Sequence, residues 1–172
     1  MSQASKAYNP IFMGVFLTSM AVLSLEVIFT RIFSFAIWYH FAYLTITMAL
    51  LGFSASGALL AAYPAILEKF ASRLLVTASL LSSGLTVLFL LVFSRHPIDP
   101  SAVLSSPLAF ALSMIIYCVG ITLPFFFAGV AIAAALSMFS RDISYLYFWD
   151  LVGAASGSLL SLFLLNRIEA PG

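Results

Sequence analysis

Four side chains carry most of the chemistry this sequence offers: Glu26, Arg31, His40 and Asp150. Glu26 and Arg31 interrupt a long apolar stretch, since no Asp, Glu, Lys or Arg occurs from Ala7 to Leu25 or from Ile32 to Leu67. An acid in hydrocarbon is costly unless it is paired, protonated or turned into a bundle. Ser19, Glu26, Thr30 and Ser34 recur at helical spacing and form a polar stripe, which is expected to face protein or water. Arg31 stands five positions after Glu26, about 140° around a regular helix, so a direct pair on the same helix has poor geometry. Its long stem can still bend back or snorkel to the interface. Two readings follow: a polar contact that fixes the bundle, or the lining of a pocket for a small charged solute.

Asp150 lies near the start of the last apolar run, where the amino-terminal dipole of a helix favours a carboxylate. Capping is one reading; the other joins it to Glu26 and Arg31 as a ligand-binding set. A ring nitrogen of His40 is a candidate ligand for haem iron or chlorophyll magnesium. His96 sits in a loop, however, and Cys118 is the one cysteine, so neither a bis-histidine haem nor a metal-ligand cluster is expected. There is no GxGxxG, P-loop, GxSxG or HExxH pattern, and the lone GxxxG lies in an apolar run. No catalytic residue and no cofactor are assigned. Aromatic residues, 15% of the chain, leave contact with lipid, quinone or pigment open.

The elements that must position these residues follow from composition. Of 172 residues, 63% are hydrophobic and 8% charged, and the mean hydropathy is +1.16, far from the roughly 25% charged of a soluble domain. The net charge of +1 supplies no field for nucleic acid. A bilayer core about 30 Å thick needs about 20 apolar residues per helix. The charge-free runs meet that length, and they are continuous rather than alternating, which excludes a barrel. The fold class is all-α, a polytopic transmembrane helical bundle. Spans are expected at 11–35, 41–63, 72–93, 107–138 and 144–166, with a polar tail at 1–10 and a short tail at 167–172. Pro10 should open the first span and Pro107 the fourth. Aromatic belts are expected at Trp38, Tyr39, Phe41 and Tyr43 and at Tyr145, Tyr147 and Trp149.

The fourth run is long for one crossing and short for two, with Gly120 and Pro124 in its middle. Five spans are preferred, because a half-run of about 16 residues spans poorly; six is the alternative. Either way four basic residues fall on the amino-terminal side and two opposite, which predicts a cytoplasmic amino terminus. No removable signal peptide is evident. Gly153, Gly157 and Ser161 repeat every four residues, and Gly52 and Ser56, with Gly57 adjacent, form a similar face. Both faces suit close helix packing, and the second and last helices are expected to be partners.

Several short motifs are similar to one family. Leu25-Glu26-Val27 through Thr30-Arg31, then Phe33-Ser34, Trp38 and Leu51-Gly52, resemble the first two membrane helices of spermidine-synthase-like membrane proteins. Leu123-Pro124 with Gly129 resembles their proline-containing fourth helix, and Tyr147-Phe148-Trp149-Asp150-Leu151-Val152-Gly153-Ala154 through Gly157 their fifth. In that group a transporter-like membrane region precedes a soluble aminopropyltransferase-like domain with a nucleotide-binding α/β fold. These 172 residues hold no Gly-rich strand-to-helix turn and no soluble acidic segment to bind a polyamine, so aminopropyl transfer is not expected of them. The resemblance implies a non-catalytic integral membrane module, in a bacterial inner membrane, that anchors or feeds an associated enzyme. The alternative is an accessory subunit of a larger respiratory or photosynthetic type of membrane assembly.

Overall fold

The computed structural model describes the backbone of residues 4–36, 40–96 and 105–168, and the side chains of 10–34, 42–96 and 105–167. Among the described residues, apolar runs too long for strands become five long helices: α1 (Ala4–Ala36), α2 (His40–Ala62), α3 (Pro64–Arg95), α4 (Pro107–Met138) and α5 (Ile143–Ile168). A single 3-10 turn, Ser140–Asp142, joins the last two. All five helices are long and apolar enough to cross a membrane. The chain is an all-helical, polytopic integral membrane protein. Large apolar side chains point outward along every helix, Leu80, Leu108 and Leu159 among them, as expected where lipid is the solvent.

The interhelical contacts fix the direction of each span. Gly153 of α5 meets the backbone of Phe16 on α1, and Gly157 meets that of Met20. Both contacts step forward together along the two helices, so α1 and α5 run parallel, which an odd number of spans requires. Gly52 of α2 abuts Thr122 and Phe126 of α4, and Ser56 abuts Gly129, so these two are parallel as well. Ser82 donates to the Pro124 carbonyl at 2.9 Å, and Phe89 and Phe93 flank Tyr117 nearer the start of α4. There residue numbers rise on one helix as they fall on the other, so α3 and α4 are antiparallel.

α4 is the central helix. It packs along α3 and α2 and also touches α1. Its middle buries Tyr117, Ile121, Phe125 and Ala128, and then the small residues Gly129, Ala131, Ala134 and Ala135. Small residues let neighbouring backbones approach where lipid gives helices no hydrophobic reason to associate. Phe29 and Phe33 of α1 close an aromatic core over Phe89, Phe125 and Tyr117, with ring centroids 5.3 to 6.5 Å apart. The long fourth run is one continuous helix through Pro124.

Two expectations are corrected. The third helix begins at Pro64, not Ser72, because proline at the first helical position sacrifices no bond and Glu68, Lys69 and Arg73 can stand exposed on a helix outside the hydrocarbon. Pro10 does open the first candidate span, Pro10–Ser34, although the helix that carries it already starts at Ala4. Trp149 does not join an outward belt. It turns inward edge-on to Phe16, centroids 5.9 Å apart, while Tyr145 and Tyr147 stay exposed. Trp38 and Tyr39 lie outside the described residues.

Candidate functional site

The two small-residue faces do not meet each other. Gly153, Gly157 and the buried Ser161 seat α5 on α1, while Gly52 and Ser56 seat α2 on α4. A face of this kind needs backbone to close upon. α1 offers it beside Phe16 and Met20, and α4 offers it at Thr122 and Gly129. Gly57 belongs to neither contact, with nothing within 4 Å of its absent Cβ.

The α1–α5 seam is tight and polar at one end. Ser19, 2% exposed, donates to Asp150 Oδ1. Ser24 donates to the Gly157 carbonyl at 3.0 Å, and Ser161 shares that acceptor at 2.6 Å. Asp150 is thus no helix cap: it sits about two turns inside α5 and is held by α1. Seven residues separate Ser19 from Glu26, about 10 Å along the helix, so Asp150 does not join Glu26 and Arg31 in one cluster.

Beyond Ser161 the seam opens. The next position of the four-residue repeat is Leu165, which is too bulky for backbone contact, and the helices part into a cleft of about 790 Å³. Its polar lining is Glu26, Thr30, Arg31 and Ser34 of α1 with Asn166 of α5. Its apolar lining includes Val27, Ile46 of α2, Leu162 and Phe163. The polar stripe read from the sequence therefore faces α5 at Ser19 and the cleft from Glu26 onward. Asn166 was not foreseen, since a polar residue at the end of a span reads as simple interface; only the parallel register of α1 and α5 brings it beside Glu26.

The polar groups differ in how they are already used. The Thr30 hydroxyl donates back to the Glu26 carbonyl at 2.7 Å. Arg31 has a partner within the protein. The Glu26 carboxyl, half-buried, receives no hydrogen bond and no ion pair among the described residues. Arg167 stands over the Phe163 ring, 5.3 Å from its centroid, and places positive charge at the outer edge of the same wall. The side chain of His40 lies outside the described residues, and those residues hold no group of three His, Cys, Asp or Glu able to bind a metal ion.

An acid, a guanidinium, an amide and an apolar wall in one open cleft can bind a small molecule with a polar head. Among the described residues they offer no nucleophile and base in contact. The arrangement defines a helical membrane bundle with a polar-lined cleft at one end. Comparison with protein-family models, curated proteins and solved structures finds no match for the chain.

Proposed function

We propose that the chain is a non-catalytic membrane module that holds a small ligand in the Glu26 cleft and anchors or feeds an associated enzyme. The observation that carries this is the Glu26 carboxyl, without a partner among the described residues, on the wall of a cleft of about 790 Å³. Ligand pockets typically enclose about 300–1,000 Å³ with few polar groups on an apolar lining, and this cleft has that character. The likeness of Leu25-Glu26-Val27, Thr30-Arg31 and the Tyr147 to Gly157 segment to spermidine-synthase-like membrane regions supports an aminopropyltransferase-like partner.

Lys6, Lys69, Arg73 and Arg141 on the amino-terminal side, against Arg95 and Arg167 opposite, support a cytoplasmic amino terminus in a bacterial inner membrane. The cleft then opens toward the far leaflet. Gentle extraction followed by native mass measurement tests the proposal. The expected result is a stoichiometric soluble enzyme together with a small-molecule adduct that Glu26→Gln loses. Recovery of the chain alone and free of adduct would overturn it.

A second reading, an accessory subunit of a larger membrane assembly, is favoured by one feature. An apolar groove of about 320 Å³ runs between α3 and α4, lined by Leu85, Val92, Ile116, Gly120 and Leu123. It suits a lipid tail, a quinone or a pigment. Stoichiometric membrane subunits in the same mass measurement would support this reading instead.

A further inference from the structure

The cleft identifies the charge of its ligand by what it leaves unsatisfied. Arg31 already has a partner in the protein, whereas the Glu26 carboxyl has none among the described residues. Glu26 stands eight residues inside the Ser34 end of the first span, about 12 Å, so it lies within the hydrocarbon rather than at its surface. A carboxylate at that depth needs a proton or a counter-cation. The missing charge is therefore positive.

The walls identify the rest of the ligand. α2 and α5 both pack on α1, without extensive contact to each other, so the gap between them is the open side of the cleft. Leu162 and Phe163 line the cleft and are each 58% exposed, which carries its apolar wall onto the lipid-facing surface. A hydrophilic cation approaching from water passes Arg31 and Arg167. A molecule dissolved in the bilayer meets the exposed Leu162 and Phe163 first.

Resting on the cleft reading above, we propose that the ligand is an amphiphilic amine taken laterally from the bilayer. Its ammonium sits on the Glu26 carboxylate, and its hydrocarbon lies between α1, α2 and α5. Charge-assisted hydrogen bonds to the carboxylate fix the head. The tail stays in an environment as apolar as the one it left.

The test is calorimetric titration of the protein in lipid nanodiscs, with empty nanodiscs subtracted, using decylamine, decanol, decanoate and 1,4-diaminobutane below micellar concentrations. Decylamine should bind saturably at one site. Glu26→Gln should weaken that binding at least tenfold, about 1.4 kcal/mol. Ala42→Trp, which fills the cleft from α2 and keeps the carboxylate, should abolish it; this variant decides the matter if Glu26→Gln fails to fold. Saturable binding of 1,4-diaminobutane without decylamine would overturn the lateral amphiphile and leave a polar-solute cleft standing. Equal binding of decanol or decanoate, or indifference to both substitutions, would overturn the ionic recognition. If no probe binds, this inference and the ligand cleft fall together.

Discussion

Gly157→Ala should separate the two helices that build the cleft. The added methyl group would lie on the Met20 carbonyl oxygen, and because that atom is backbone, no side-chain rotation makes room. Overpacking of this kind costs about 1–3 kcal/mol. Parting the helices also stretches the Ser24 bond to Gly157, one of the interhelical bonds worth about 0.6–1.7 kcal/mol in a bilayer. Alanine returns up to about 1 kcal/mol through helix propensity. The same gain applies at Gly57, where the new methyl meets nothing within 4 Å. The difference between Gly157→Ala and Gly57→Ala therefore isolates the seam, and it should amount to about 2–4 kcal/mol. Reversible unfolding in mixed micelles with a rising fraction of denaturing detergent measures it, with both variants compared against the parent. A difference under about 0.5 kcal/mol, within the range of ordinary surface changes, would refute the close α1–α5 contact and with it the account of why the cleft opens.

Three other outcomes follow from the same geometry. Ser19→Ala should cost about 1–3 kcal/mol, since it strips a donor from the half-buried Asp150 carboxyl; in a cycle with Asp150→Asn, additivity of the two changes would exclude the contact. Glu26→Leu should raise the unfolding free energy by about 1 kcal/mol or more while abolishing ligand binding, because a carboxyl without a partner gives way to an apolar group; destabilisation in the micelle assay would instead make Glu26 a bundle-fixing residue. Leu165→Gly should extend the small-residue repeat and draw the helices together by about 2 Å, read as a shorter distance between spin labels at positions 30 and 166; an unchanged distance would rule out side-chain bulk as the cause of the gap.

The spans were legible because hydrocarbon thickness and run length leave few alternatives, and the five-span reading of the Pro107–Met138 run follows from the same arithmetic. Helix ends were less legible. Glu68 and Lys69 fall in the interval between the expected second and third spans, yet a helix can leave the bilayer without changing its geometry, so charge marked the membrane boundary and not the start of α3. The spacing of Gly153, Gly157 and Ser161 identified a packing surface, but a groove does not specify the backbone that fills it, and α1 rather than α2 closed upon this one. The split between Asp150 and Glu26 was beyond reach for a similar reason. Both are acids near apolar runs, and only the register of α1 against α5 pairs one with Ser19 and leaves the other in a cleft.

The seam and the cleft are two consequences of one sequence pattern. Through Ser161, α5 presents residues small enough for backbone contact, and the serines of α1 spend their hydroxyls across that contact or on its partner carboxylate. After Ser161 the same face carries Leu165, and the pair must splay. Splaying by itself makes only a hydrophobic notch of the sort lipid fills. What distinguishes this one is that α1 places Glu26 at the level where the splay begins, on the face that Ser19 had turned toward α5. Had stability alone governed the position, an apolar residue would serve the bundle better, since no described neighbour compensates the acid. A tight, hydrogen-bonded half-seam can bear the cost of a polar open half, and α1 carries both: Ser19 and Ser24 bind it to α5, and beyond them one face sends Phe29 and Phe33 into the core while the other places Glu26 on the cleft wall.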